Sequence, residues 1–252
     1  MEEERASNKE EDQIEEEILT SINKRENLKK NFQTTWPLRK VMEMTLEEYN
    51  NLNKDNSFCY WVETVTYDLG NIKGVPSFKF GIFKRNNTET EYTASTYTTD
   101  GEYAWLSKYG DNRDEAFQSV KQLIISVIKY VQEDDLEAID NIDLSNMYKW
   151  KIAFLYSDFR VINIFSQEML KNIAKMKGLE EADNQRISSL HLFLIKHKPS
   201  NTSFFDYTDD LLKLYKQRRQ VKREKWIWLI ILLLALIRYY SALPVQAKLT
   251  IR

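Results

Sequence analysis

The chain has 252 residues, and its 36 Lys and Arg against 38 Asp and Glu give a net charge of -2. This balance excludes a chain that attracts nucleic acid through overall positive charge, and it excludes a strongly acidic disordered chain. The single cysteine excludes an internal disulfide and favours a reducing cytoplasm, and the acidic start of the chain lacks the apolar stretch of a secretory signal.

Residues 1–35 predict a charged, helical N-terminal extension. Residues 1–12 are too polar to form a stable structure alone, and apolar residues then recur at helical spacing. Trp36-Pro37 ends this helix because the residue before proline avoids the α conformation. Thr45 and Glu48 form a capping box, which predicts the start of a short helix.

Three segments rich in aromatic and β-branched residues predict strands of an antiparallel or mixed sheet. They are Phe58–Tyr67, Phe78–Phe83 and Glu91–Tyr97. Asn112 then begins a segment whose apolar residues recur at helical spacing to Val131, which predicts a helix packed on the sheet.

The stretch from Trp150 to Tyr156 predicts the central strand of the domain. Its apolar residues alternate with Lys149 and Lys151, as in a strand with one buried face. A polar turn and the apolar run Val161–Phe165 complete a predicted hairpin. Further helices begin at Ser166, near Ile187 and at Phe204. Together these elements predict an α+β domain over residues 36–212.

A basic linker at residues 213–225 precedes an unbroken apolar run, and residues 226–247 predict a membrane-anchoring helix. The positive-inside rule then places the rest of the chain in the cytoplasm, anchored to the inner face of the membrane. The pure run of about a dozen residues is shorter than the roughly 20 that span a bilayer, so a buried or oligomer-packing helix is the alternative. The residues suited to the membrane interfaces are Trp226, Trp228, Arg238 and Tyr239.

Two patterns that often carry chemistry fail on residue type or spacing, and a third remains as an alternative. The loop Gly70–Gly74 lacks the Gly-Lys-Ser/Thr of a phosphate-binding loop. His191 and His197 are not spaced as a helical pair of zinc ligands. Asp140 and Asp143 leave a metal-dependent hydrolase as the least favoured alternative, because aspartates are equally suited to turns and caps.

Aromatic and basic side chains are interleaved in the predicted sheet and its loops. A nucleic-acid interface or a pocket for a flipped base uses stacking planes beside cations. The alternative interpretation is an aromatic core with solvated lysines between its residues. The candidate ligand-binding residues are Trp61, Phe78, Lys79, Lys84, Arg85, Tyr103, Trp105 and Lys108.

Several short motifs between Trp36 and Leu212 carry a family resemblance. They include Trp36-Pro-Leu-Arg-Lys, Ser57-Phe-Cys-Tyr-Trp-Val-Glu63, Phe78-Lys-Phe-Gly-Ile82, Asp100-Gly-Glu-Tyr-Ala-Trp105 and Tyr148-Lys-Trp-Lys-Ile-Ala-Phe-Leu-Tyr156. This pattern resembles the N-terminal region of McrB-like AAA+ restriction proteins, which include 5-methylcytosine-specific members. The resemblance implies a specificity module that recognises DNA, sometimes modified DNA, ahead of a GTP- or ATP-hydrolysing motor.

The sequence departs from this family pattern after Leu212, where an apolar run stands in place of the motor and no Walker A motif occurs. A membrane-anchored module, a partner of a separate motor and a truncated gene all fit. We predict a non-enzymatic recognition module of a restriction or defence system that binds DNA or a related ligand and needs no cofactor. The alternative is a membrane-tethered domain that binds a protein or small ligand. The predicted partners are DNA, a separate AAA+ motor subunit and membrane lipid, and the oligomeric state stays open.

Overall fold

The computed structural model describes residues 20–52, 57–74, 76–86 and 96–242. These residues are mostly helical and include one three-stranded antiparallel sheet, so the α+β prediction is confirmed in this coarse form. The chain divides into two compact units, residues 1–208 and 209–252.

Nine helices lie within the described part of the first unit, and a tenth begins there. The strands are β1 (Ile82–Lys84), β2 (Tyr97–Thr99) and β3 (Tyr103–Leu106). The helices are α1 (20–35), α2 (Leu38–Glu43), α3 (Leu46–Tyr49), α4 (Phe58–Tyr60), α5 (Arg113–Gln132), α6 (Leu136–Asp140), α7 (Asn146–Tyr156), α8 (Gln167–Met176), α9 (Ile187–Lys196) and α10 (Phe204–Ala242).

Helix α1 is an integral part of the first unit rather than a separate extension. Phe32 is completely buried, and its ring centroid lies 6.0 Å from that of Phe58 and 5.5 Å from that of Tyr156. The polar stretch predicted for residues 1–12 lies outside the described residues.

Helix α7 occupies the stretch that the sequence predicted as the central strand of a hairpin, so that prediction is wrong. The predicted alternation counted Lys149 and Lys151 as solvent-facing residues. In the structure both lysines are buried, as is every residue from Tyr148 to Tyr156. A segment that is buried on all sides carries no periodicity that separates a helix from a strand.

The lysines of α7 can be buried because backbone carbonyl groups accept hydrogen bonds from their ammonium groups. Lys151 Nζ donates to Thr66 O at 2.7 Å and to Gly70 O at 2.6 Å. Lys149 Nζ donates to two carbonyl groups at and just after the end of α6, each at 2.8 Å. Burial lowers the pKa of both lysines. Each lysine thereby holds another segment of the chain against α7.

Two of the three predicted strands are also wrong in most of their length. Phe58–Tyr67 forms α4, a π-helical turn (Trp61–Val65) and the start of a 3-10 turn, and Ser57 Oγ caps α4 by accepting the Tyr60 N–H at 3.3 Å. Phe78–Phe83 is a strand only from Ile82 onward. Here tertiary burial, and not strand pairing, explains the aromatic and β-branched composition. Residues 91–95 of the third predicted strand lie outside the described part of the chain.

The sheet has β3 in its centre, in the order β1-β3-β2. Helix α5 packs against β1 and β3. Gly81, immediately before β1, has a φ of +80°, and a Cβ atom there would lie 2.6 Å from Val120 Cγ2 of α5. Glycine is therefore required both by the backbone conformation and by the close approach of the helix.

The helix-start signals read from the sequence are confirmed. Asn112 Oδ1 accepts two backbone N–H groups in the first turn of α5. Thr45 and Glu48 form the complete capping box of α3, and Ser166 Oγ caps α8. Gly178, after α8, has a φ of +98°, as expected for a left-handed helix end. These signals depend on a few neighbouring residues, so tertiary packing does not override them.

Helix α10 is continuous from Phe204 to Ala242 and carries both the predicted basic linker and the apolar run. No helix among the described residues has both the length and the apolar character needed to cross a membrane. The predicted spanning helix is therefore not found there, and residues 243–247 of that prediction lie beyond the described range.

Candidate functional site

A cleft of about 550 Å³ lies beside β1, and we call it the Lys84 cleft. It is lined by the residues that follow α3, by α4 and the π-helical turn, by the loop before β1 and by β1 itself. Its described lining comprises Asn50, Asn51, Leu52, Ser57, Cys59, Tyr60, Glu63, Thr64, Lys73, Gly74, Ser77, Phe80, Phe83, Lys84 and Asn86. The volume falls in the range of roughly 300–1,000 Å³ that is typical of small-molecule sites.

The buried side chains of the cleft lining are apolar except for Ser57. Phe80, Phe83 and Cys59 are all buried side chains. Burial raises the pKa of the Cys59 thiol to about 12, so this thiol stays protonated near neutral pH. A protonated thiol is a poor nucleophile, and Cys59 therefore contributes apolar surface rather than covalent chemistry.

The polar lining of the cleft is dominated by side-chain amides and hydroxyl groups. Asn50 Oδ1 accepts the backbone N–H of Lys84 at 2.9 Å, which holds the segment after α3 against β1. Asn51 Nδ2 donates to Glu47 O at 2.7 Å. Asn51 Oδ1 is a buried atom with no hydrogen-bond partner among the described residues.

Lys84 connects the cleft to an ion-pair network at the edge of the sheet. Its Nζ lies 3.0 Å from Glu102 Oε1, and Arg113 Nη1 lies 2.7 Å from the other carboxylate oxygen of Glu102. Arg113 Nε also contacts Asp100 at 2.8 Å. The hydrogen bond with Glu102 raises the pKa of Lys84, and those from Arg113 and Lys84 lower the pKa of Glu102. Lys84 is therefore a firmly charged group at the cleft edge.

Lys79, a second predicted binding residue, acts within the protein. It is buried, and its Nζ forms an ion pair with Glu63 Oε1 at 2.6 Å. Its ammonium group also lies 4.4 Å from the centroid of the Phe80 ring, and both Glu63 and Phe80 line the cleft.

The four predicted stacking residues are placed mostly inside the fold. Tyr103 and Trp105 are buried, and Trp105 Nε1 donates to Gly110 O at 2.9 Å. Phe78 is half-buried and stacks on Tyr97 with a centroid distance of 3.7 Å. Trp61 is half-buried near α1. Tyr103 and Trp105 thus fit the aromatic-core interpretation, and none of the four lines the Lys84 cleft.

The two remaining predicted cations also have internal contacts. Arg85 is buried, and its Nη1 donates to Thr99 Oγ1 and to Gly101 O, each at 3.2 Å. Lys108 is half-exposed and forms an ion pair with Asp143. Of the eight candidate residues, only Lys84 lies in the cleft.

The aspartates considered for hydrolysis have structural contacts instead. Asp140 accepts hydrogen bonds from the N–H and the hydroxyl group of Ser188, at the start of α9. Asp143 pairs with Lys108. Over the described ranges, no group of three His, Cys, Asp or Glu side chains is placed to hold a metal ion.

A smaller cavity of about 300 Å³ lies between α1 and the end of α7. Lys29, which is buried there, donates from Nζ to Ser157 O, and burial lowers the pKa of Lys29 to about 8. Gln33 Nε2 donates to Leu155 O at 2.9 Å. Both side chains satisfy carbonyl groups at the C-terminus of α7, which accounts for their positions.

The predicted membrane-anchor residues lie on α10 in the second unit. Trp226, Trp228 and Arg238 are exposed. The backbone of Tyr239 is helical, whereas its side chain lies outside what the structure describes.

Sequence reasoning missed the asparagines and hydroxyl residues of the cleft. Asn50, Asn51 and Asn86 follow or precede regular elements and look like ordinary turn residues. Comparison of the chain with models of known protein families, with curated proteins and with solved structures found no match. The cleft is therefore interpreted from its own chemistry.

Proposed function

We propose that the first unit is a non-catalytic recognition module that binds DNA, with a base or a similar planar polar group held in the Lys84 cleft. The observation that carries this proposal is the combination of buried aromatic side chains with side-chain amides in one cleft. Side-chain amides match the paired donor and acceptor groups on the edges of bases.

The charges of the cleft support a ligand that carries phosphate. Lys73 and Lys84 line it, and an ammonium group binds phosphate oxygens through charge-assisted hydrogen bonds. The ion pair with Glu102 leaves the Lys84 side chain partly exposed, at 21 %. A phosphate would compete with Glu102 for this ammonium group.

The resemblance to McrB-like restriction proteins supports the same proposal from the sequence side. In such a system the module would select the DNA, and a separate AAA+ motor subunit would hydrolyse the nucleotide. The module itself would need no cofactor. We also propose a cytoplasmic location at the inner face of the membrane, where the free thiol of Cys59 would stay reduced.

The proposal is tested by fluorescence anisotropy with DNA duplexes that contain either cytosine or 5-methylcytosine. Lys84→Ala should weaken binding to all sequences and reduce the slope of log affinity against log salt by about one. Lys175→Ala is the matched control, because Lys175 is also paired with a carboxylate, that of Asp183, but lies on α8. Equal losses in both variants would contradict a role for the cleft.

A second pair of variants tests the cleft without changing charge. Ser77→Trp places a large side chain at the cleft lining and should weaken binding. Ser200→Trp changes an exposed serine in a remote loop and should have no effect. The absence of DNA binding by the unaltered protein at low salt would refute the proposal outright.

A further inference from the structure

The second unit exposes an unusually apolar stretch of helix, Trp226–Ile237, which we call the apolar segment. Its large apolar side chains are between 47 % and 72 % exposed. Twelve consecutive residues of a helix cover its whole circumference, so the apolar surface surrounds the helix instead of forming one stripe. Exposed apolar surface of this extent marks an interaction site.

The residues immediately before the apolar segment are strongly basic. Residues 213–225, the basic segment, contain seven Lys or Arg and one Glu, which gives a net charge of 7 − 1 = +6. The side chains of Arg218, Arg219 and Arg223 are exposed. A cationic segment joined to an apolar one is complementary to a single kind of surface, in which anionic groups border hydrocarbon.

Two tryptophans stand where the basic segment meets the apolar segment. Trp226 and Trp228 are 64 % and 72 % exposed. Tryptophan is enriched at the boundary between headgroups and acyl chains, because the ring is apolar and its N–H group can meet polar partners.

We propose that α10 binds the surface of an anionic phospholipid bilayer, with the basic segment on the headgroups and the apolar segment among the acyl chains of the near leaflet. Twelve helical residues extend about 18 Å. The hydrocarbon layer is about 30 Å thick, so the apolar segment can enter the membrane without crossing it. Binding of this kind agrees with the finding that no described helix is able to span a bilayer.

A second copy of the chain is the competing occupant of this surface. Helices that pair in water need a seam of apolar residues with polar residues on the outer faces. The apolar segment has no polar position over its twelve residues, so pairing would leave most of its apolar surface in water. A lipid environment covers the whole circumference.

The test uses the full chain and vesicles made of equal parts of phosphatidylglycerol and phosphatidylcholine. The protein should sediment with these vesicles and not with pure phosphatidylcholine. Brominated acyl chains should quench the fluorescence of Trp226 and Trp228, and a Trp226→Phe, Trp228→Phe variant should lose the quenched component. The other four tryptophans are buried or half-buried in the first unit, so they supply an internal control.

Charge is tested separately by the triple variant Arg218→Gln, Arg219→Gln, Arg223→Gln. Because each basic residue near an anionic surface contributes about fivefold to affinity, the triple variant should bind on the order of a hundredfold more weakly. Failure of the unaltered chain to bind anionic vesicles would overturn the proposal. So would equal binding to neutral vesicles, or formation of oligomers whose tryptophans are not quenched by lipid.

Discussion

His191 should make the stability of the first unit depend on pH in a way that can be assigned to one side chain. The ring is completely buried on α9, its Nδ1 accepts the Ile162 N–H at 3.2 Å, and its centroid lies 4.6 Å from that of Trp150. Burial lowers the pKa of His191 from 6.5 to about 3. Protonation of Nδ1 would also break the hydrogen bond with Ile162.

The sign of the effect follows from the two states of the protein. The unfolded chain takes up a proton on this histidine below about pH 6.5, whereas the folded chain does so only near pH 3. Stability is therefore constant above the upper pKa and is lost as the pH falls between the two values, by about 1.4 kcal/mol per pH unit at most. Between about pH 7 and about pH 5 the expected loss from His191 is about 2 kcal/mol.

The measurement is urea unfolding followed by circular dichroism at several pH values, for the unaltered chain and for His191→Asn. Asparagine can place Oδ1 near the position of Nδ1 and accept the Ile162 N–H, but it does not titrate. Carboxylates titrate in both proteins, so the difference between the two curves isolates the histidine. His197→Asn is the control, because His197 is exposed and is the only other histidine in the chain. Equal losses of stability in the unaltered chain and in His191→Asn would refute the reasoning.

Three further predictions follow from single contacts in the first unit. Lys151→Met should cost about 2–5 kcal/mol in the free energy of unfolding, because two buried carbonyl groups lose their donor. Lys24→Met, which changes an exposed side chain of α1, should alter the free energy of unfolding by less than about 0.5 kcal/mol. Gly101→Ala should lower the free energy of unfolding by about 1 kcal/mol because of the positive φ alone. Gly81→Ala should lower it by at least about 1 kcal/mol more, because the added Cβ also meets α5. Equal Tm shifts for the two variants would contradict this contact. Cys59 should react with a thiol reagent only when the protein unfolds, because the side chain is buried and burial raises its pKa to about 12, which leaves little thiolate. Rapid labelling of the folded chain would contradict its burial.

The error at α7 shows where sequence patterns lose their meaning. A lysine is normally read as a solvent-facing residue, and that convention alone produced the alternation typical of a strand. Whether Lys151 can be buried depends on the carbonyl groups of Thr66 and Gly70, which are more than 80 residues away, and burial of Lys149 depends on how the chain turns between α6 and α7. No local pattern contains that information.

The helix starts could be predicted because their physics is local. The donors that Asn112 satisfies lie within three residues of it, and Glu48 lies three residues from Thr45. The cleft could not be predicted, because its lining comes from four separate segments between Asn50 and Asn86. Of the residues in the aromatic and basic pattern, Lys84 lies in the cleft, whereas burial of Tyr103 and Trp105 removes them from any open surface.

DNA binding by the Lys84 cleft and lipid binding by α10 should both weaken as the salt concentration rises, so salt dependence alone cannot separate the two proposals. The basic segment, with its net charge of +6, would also attract DNA without sequence preference. The Lys84→Ala variant is therefore also measured in the background of the Arg218→Gln, Arg219→Gln, Arg223→Gln variant, which separates the Lys84 cleft from the basic segment. If Lys84→Ala still weakens DNA binding in that background, the cleft is the site of recognition. If DNA binding disappears with the three arginines and Lys84→Ala has no further effect, the first unit does not bind DNA, and the lipid proposal is unaffected, because vesicle binding is measured without nucleic acid.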